Sequence, residues 1–317
     1  MSDWRPSANL AVLERRAAML RAAREYFAAT RALEVETPIL STAAVTDVHL
    51  ASISATTLGK RSFLQTSPEY AMKRLLAAGA GDIWQACKVF RDGESGRWHN
   101  IEFTMIEWYR LGLDHHALMS DVERLINTML PPDKQFDRAE RLTYAEAVQL
   151  HAGVDAFRDP PAVLIARLQS EGIDVPRDLH RDRDGCLDLL MSTIVGPKLG
   201  IDRLTFIYDY PASQAALARV RGEVASRFEA YLAGLELANG FHELGDATEQ
   251  RARFESDLAA RALRGLPAMP MDEHFLASLA HGLPECSGVA LGFDRLVMCA
   301  TEAKHLNEVL AFPFERA

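Results

Sequence analysis

Residues 89–109, VFRDGESGRWHNIEFTMIEWY, constrain the fold of this chain more than any other stretch. They read as strand, loop and return strand. Val89 and Phe90 close an apolar run that starts at Ile83. Residues 92–96 hold two glycines among polar residues, which is loop chemistry. Residues 101–109 are rich in β-branched and aromatic side chains, as strands are. Side chains alternate along a strand, so Phe103, Met105, Glu107 and Tyr109 share one face. At about 3.3 Å per residue, Phe103 and Glu107 lie roughly 13 Å apart on it. An aromatic ring at one end suits a purine. A carboxylate and a phenol at the other suit an amine. Arg91, at the end of the partner strand, can reach an anionic group between them. The plain alternative is an amphipathic hairpin with surface charges. It accounts for the alternation but not for Glu107 between Met105 and Tyr109.

A length of 317 residues allows one large domain or two small ones, and 48% hydrophobic content is ample for a core. The net charge of −9 has the wrong sign for general nucleic-acid affinity. No apolar run reaches membrane-spanning length, and residues 1–11 lack the apolar segment of a signal peptide. Cys87, Cys186, Cys286 and Cys299 have no metal-ligand spacing and read as reduced thiols of a cytoplasmic protein.

Residues 10–32 have helical periodicity. Residues 34–38 read as a short strand ended by Pro38, with Thr37 held extended by the proline after it. Residues 62–65 form another candidate strand. Ser67 then suits a helix N-cap and Pro68 the first helical position. Glu69 complements the helix dipole; its functional alternative is to receive a substrate ammonium. Residues 115–129 read as a helix. The region of about 133–200 reads as mostly helical, and His115 and His116 as solvated surface.

Residues 204–210 are β-rich. Residues 227–232 and 235–238 flank Ala233-Gly234, which reads as a hairpin turn. With a two-residue loop, position 231 opposes 236 and 229 opposes 238, so Glu229 and Glu236 become diagonal neighbours on one face. Two carboxylates that close favour a cation between them, and Mg²⁺ takes one or two carboxylates beside phosphate oxygens. Two exposed glutamates on an edge hairpin are the alternative. Gly240 allows a bulge beyond that point. Residues 287–295 read as a glycine-punctuated strand running into a helix, with small residues that let a ligand approach the backbone and Arg295 in the first helical turn.

Together these segments resemble the catalytic domain of class II aminoacyl-tRNA synthetases, lysyl-tRNA synthetase in particular. Its three signature motifs occur in order: the helix and strand ending at Pro38, the Phe90-Arg91 strand with its loop and return strand, and Gly292-Phe293-Asp294-Arg295. His99-Asn100, Glu102-Phe103-Thr104-Met105 and Asn239-Gly240-Phe241 followed by Glu243-Leu244 narrow the resemblance to the lysine branch. The resemblance implies an α+β fold, an antiparallel β-sheet flanked by helices, in one catalytic domain over residues 1–317 with the helical region as an insertion. It also implies a homodimer built through the first motif.

The same resemblance implies site roles. Arg91 contacts the α-phosphate and the substrate carboxylate, and Phe103 stacks on adenine. Arg295 binds the γ-phosphate, and Glu229 and Glu236 hold Mg²⁺ with ATP. His99 and Asn100 belong to the ATP site. Glu107, Tyr109 and Glu243 take the side-chain ammonium, Asn239 the carboxylate and Glu69 the other amine. Three departures stand out. About ten residues precede the first helix, so no anticodon-reading domain is expected. Ala290 stands where the synthetases have glycine, and Ser67 where they have alanine; both lie beside the amine pocket. Gly93 stands where a glutamate is expected, and Glu94 next to it can substitute in contacting adenine.

A lysyl-synthetase core with these changes resembles the elongation factor P–(R)-β-lysine ligase family. Residues 211–215, 236–244 and 286–292 resemble that family closely. The implied reaction joins (R)-β-lysine to ATP as an adenylate, then passes it to a lysine ε-amine of elongation factor P. A synthetase that charges tRNA is disfavoured by the negative charge. An aspartate–ammonia type ligase is disfavoured by Glu107, Tyr109 and Glu243, which suit an amine and not a carboxylate. A non-catalytic paralogue is disfavoured by the presence of Arg91, Arg295, Glu229 and Glu236.

Overall fold

The structure is a computed structural model that describes residues 4–317. Helix α1 (Leu10–Ala29) leads into β1 (Leu33–Glu34), β2 (Leu40–Ser41), β3 (Ser54–Thr57) and β4 (Lys60–Leu64). Helix α2 (Glu69–Ala77), β5 (Ile83–Phe90), β6 (Glu102–Leu111) and α3 (His115–Met129) follow. Next come β7 (Glu140–Thr143), α4 (Tyr144–Ala152), α5 (Pro161–Ser170), α6 (Arg183–Leu190) and β8 (Thr205–Pro211). The chain continues through β9 (Val220–Arg221), β10 (Val224–Leu232), β11 (Leu235–His242), α7 (Ala247–Leu263), α8 (Glu273–Gly282), β12 (Cys286–Gly292) and α9 (Phe293–Thr301).

Nine strands form one sheet in the order β1-β5-β6-β12-β11-β10-β8-β7, with β9 on β10. It is antiparallel except for the outer pairs β1–β5 and β7–β8, and helices flank it. The expected α+β class and sheet type are therefore present. Strands β2, β4 and β3 make a small separate sheet. Among the described residues no helix is long and apolar enough to cross a membrane.

The two faces of β6 do different work because side chains alternate. Ile106 and Trp108 are fully buried in the main core with α1 and α3, where Phe27 stacks on Trp84 at 4.4 Å. On that face Arg110 reaches Asp121 of α3 at 2.8 Å. The same carboxylate accepts from Tyr26 Oη (2.5 Å), Trp108 Nε1 (3.0 Å) and Arg124 (3.0 Å). Burial alone would raise this carboxyl, but the hydrogen bonds from Tyr26 and Arg110 hold it below its ordinary value. The network fixes β6 against α1 and α3, leaving the opposite face free to carry a site. Helices α4 to α6 build a second core around Leu164, Leu187 and Leu190 against Ile207 and Tyr231 of the sheet.

Several local expectations need correction. The strand expected to end at Pro38 keeps regular pairing only to Glu34; the Val35 N–H still bonds the Trp84 carbonyl (2.9 Å), Thr37 Oγ1 accepts from Gln85 Nε2 (2.9 Å), and Pro38 has no N–H for a ladder. Helix α2 begins at Glu69 with Pro68 at the cap position, one residue later than expected. The Ser67 hydroxyl still accepts from the Glu69 N–H at 3.1 Å. His115 is buried, not solvated: it starts α3 and its Nε2 lies 3.3 Å from Asp209 Oδ1 of β8.

The hairpin at Ala233-Gly234 has the expected two-residue loop, both residues with φ above +50°. Tyr231 opposes Glu236 as expected, but Glu229 opposes Asn239 and not Ala238. The extra residue is Leu237, so the bulge falls before Gly240. Gly240 serves another purpose. A Cβ there would sit 2.4 Å from the Phe228 ring.

Candidate active site

A cavity of about 1280 Å³ opens over the odd-numbered face of β6. Its walls include Ser67, Glu69, Arg91, Glu94, His99, Asn100, Phe103, Glu236, Asn239, Ala290 and Arg295. Glu107, Tyr109, Glu229 and Glu243 do not line it; each is buried one layer behind the wall.

At one end, Arg91 follows directly from β5, its N–H bonded to the Ile101 carbonyl (3.0 Å). The guanidinium stacks over Phe103 at 5.1 Å from the ring centroid. Its other contacts are loose: Glu94 Oε1 at 3.4 Å and the Thr66 carbonyl at 3.5 Å. Arg295 lies in the first turn of α9, as expected from sequence. Its neighbour Asp294 anchors that turn, accepting from the Thr104 N–H (2.8 Å) and pairing with Arg16 of α1 (2.5 Å). The Arg295 guanidinium donates to the Glu236 carbonyl (2.8 Å) and to His99 Nε2 (2.8 Å). Burial and the Arg295 charge push the His99 imidazole down, which keeps it a neutral acceptor. Two guanidiniums and one aromatic ring thus share a pocket, a combination suited to a nucleotide triphosphate. Asn100 is different. Its amide donates to the Glu102 carbonyl (2.6 Å) and accepts from the Phe314 N–H (3.0 Å), so it is engaged by backbone.

Glu229 and Glu236 share a sheet face, but their environments differ. Glu229 accepts from Arg227 and from Tyr231 Oη, each at 2.6 Å. The Glu236 carboxylate stands 4.0 Å from Arg295 and its side chain is 42% exposed. Arg227 also donates to Asn239 Oδ1 at 3.3 Å.

At the other end, Glu107 accepts from Ser67 Oγ and Tyr109 Oη, each at 2.7 Å. Burial, with the Glu69 charge, pushes its carboxyl up to about 8 despite those bonds. Burial and Glu107 raise the Tyr109 phenol well above its ordinary range, so it stays a donor. Burial likewise raises Glu243 to about 7, although the Lys73 ammonium opposes this. Gly288 makes the arrangement possible. A Cβ there would lie 2.2 Å from the Tyr109 ring and 2.6 Å from Glu243 Oε1. At this position the glycine admits the protein's own side chains, not a ligand as expected. Ala290 pairs with Glu107 on one side and Asn239 on the other, which directs its methyl into the space between them.

Sequence reasoning missed Lys73 and Arg227. Lys73 is completely buried, its Nζ 2.5 Å from both Glu69 Oε1 and Glu243 Oε2. The only local signal was the i,i+4 spacing of Glu69 and Lys73, which also occurs on countless exposed helices. Arg227 faces Glu229 along β10 and had no distinguishing local signal.

The family model described as "tRNA synthetases class II (D, K and N)" matches residues 1–316, so this sheet and cavity are those of a class II synthetase domain. The elongation factor P–(R)-β-lysine ligase of Vibrio cholerae serotype O1 is 48% identical over 325 residues, covering 100% of this chain and 99% of its own. The proteins of that name from Edwardsiella ictaluri (48%) and Sodalis glossinidius (47%) match over 100% of this chain and 99% and 100% of theirs. The chain belongs to the elongation factor P–(R)-β-lysine ligase family.

Proposed function

We propose that this chain is an ATP-dependent, AMP-forming ligase that activates (R)-β-lysine and transfers it to a lysine ε-amine of elongation factor P. The observation that carries the reading is the two-ended cavity. Arg91, Phe103 and Arg295 line one end, and Ser67 and Glu69 line the other with Glu107 and Glu243 buried behind them. In the first step a carboxylate oxygen of the amino acid attacks the α-phosphorus. The bond to the bridging oxygen of pyrophosphate breaks, and pyrophosphate carries away the electron pair. Arg91 and Arg295 orient the phosphates and offset the charge that develops. In the second step the acceptor amine attacks the acyl carbon, AMP departs with the bonding electrons, and the amine gives up a proton. In this reading Glu94 and His99 border the nucleotide, and Asn239 meets the substrate carboxylate.

Mg²⁺ accompanies ATP in this reading. Glu236 fits it in kind, an accessible carboxylate on the cavity wall. Glu229 fits only by exchanging Arg227 or Tyr231 for the ion. Bound there, Mg²⁺ would supply charge neutralisation at the phosphates. We also read the chain as one catalytic unit with a helical insertion at about 133–200, homodimeric and cytoplasmic.

The test is amino-acid-dependent pyrophosphate exchange, followed by intact-mass analysis of elongation factor P after incubation with ATP and either lysine isomer. One added lysyl group, made faster with the β isomer, is expected. Exchange with neither isomer refutes the reading.

Ala290 gives a finer prediction. In β-lysine one amine lies a carbon further from the carboxylate, and a methyl between Glu107 and Asn239 opposes the α-amine position. Such overlap is worth about 1–3 kcal/mol in a packed site. Ala290→Gly is therefore expected to shift the ratio of kcat/KM toward α-lysine by about 10- to 200-fold, with adenylate formation retained. An unchanged ratio places the selectivity elsewhere.

A further inference from the structure

We infer that Lys73 is a positioning residue that sets the charge of the amine pocket, so that the pocket accepts amino acids bearing two ammonium groups. The inference rests on the reading of the cavity as a diamino-acid site. Lys73 is one of the largest completely buried side chains in the protein. Burying an ammonium is costly unless it is paired, and here it contacts one oxygen on each of two carboxylates. On its far side the ring of Phe275 from α8 lies 5.8 Å away, which adds a cation–π contact and no competing charge.

The charges then add simply. Glu69, Glu107 and Glu243 contribute three negative charges when ionised, and Lys73 returns one positive. Tyr109 stays neutral. Two negative charges remain for the substrate, which is the complement of a diammonium ligand. The geometry has the same logic. Lys73 occupies Oε1 of Glu69 and Oε2 of Glu243, and the Gly288 N–H also bonds Glu243, so Glu243 is fixed in place while Glu69 keeps its second oxygen at the cavity wall. Ser67 holds Oε2 of Glu107 and Tyr109 holds its Oε1, which fixes the third carboxylate without the help of Lys73. Without the ammonium, Glu69 and Glu243 repel each other and lose the orientation that a substrate amine needs.

Lys73→Met keeps the volume and removes the charge. We expect the KM for the diamino acid to rise about 30-fold or more, as for a buried charge left without its partner, with the ATP KM changed by less than about twofold. Lys73→Ala opens a slot shaped for a short alkylammonium, reachable past Glu69 on the cavity wall. Added n-propylammonium is expected to restore part of the lost kcat/KM in that variant. Tetramethylammonium at the same concentration, too wide for the slot, is not. An unchanged diamino-acid KM in Lys73→Met overturns the inference. So does an equal rise of both KM values, which marks a merely structural lysine. Should the alanine variant fail to fold by circular dichroism, the methionine variant alone decides. Wild-type protein that activates no diamino acid refutes the functional reading itself. Active wild type with an unaffected Lys73→Met refutes only the role of Lys73.

Discussion

Arg91→Ala is expected to slow adenylate formation about 10²- to 10³-fold while the protein stays folded. The reason lies in what Arg91 does not do. Its nearest carboxylate, Glu94, is 3.4 Å away, and its one backbone acceptor is 3.5 Å away. Neither contact is a short charge-assisted bond of the kind that supports a fold. What holds the side chain is the Phe103 ring beneath it. A guanidinium kept in place by stacking, with its donors open to a cavity, is ready to meet a phosphate when one arrives. Arg91→Lys should recover little, because an ammonium restores the charge without the planar fork or the stacking. Single-turnover adenylate formation beside a thermal melt checks this. A loss below about tenfold, or a loss of rate accompanied by a large fall in Tm, would make Arg91 a structural residue instead.

Affinity for the diamino acid is expected to climb steeply as pH rises through neutrality. Burial holds Glu107 near 8 and Glu243 near 7 in the empty site. A bound ammonium favours the ionised carboxylate, so below those values binding must first expel protons. For each group the apparent affinity falls about tenfold per pH unit below its pKa. The two together give a change on the order of 500-fold between about pH 8 and pH 6. The trend reverses only where the substrate amines lose their own protons, near about pH 10. Calorimetric titration in two buffers of different ionisation enthalpy would read the protons directly, with net release expected near pH 7. Glu107→Gln should remove the upper part of the dependence. A flat profile with no proton release would mean that the carboxyls are already ionised before the substrate arrives.

Much of the site was legible because its parts are local. Alternation along β6 sets Phe103, Glu107 and Tyr109 on one face, and that needs only the pleat. The tight turn at Ala233-Gly234 is signalled by Gly234, which takes positive φ freely, with Ala233 adopting it beside the glycine. The place of Arg295 in the first turn of α9 follows from the strand-to-helix switch at Gly292. Other features depended on which distant segments meet. Glu69 and Lys73 on α2 look like an ordinary surface pair until α8 and the strand end at Glu243 cover them, some two hundred residues further along the chain. The bulge at Leu237, in a strand paired on both sides, moved Glu229 from Ala238 to Asn239. Gly288 looked like room for a ligand, yet only the packed sheet brings the Tyr109 ring and Glu243 against its Cα. By itself, then, the sequence determined the strand faces, the turn and the chemical types of the two ends. Tertiary packing decided which charges are buried and what each one touches. A strand face is fixed by neighbours in the chain, whereas the ionisation of Lys73, Glu107 and Glu243 depends on the water removed by segments far from them in sequence.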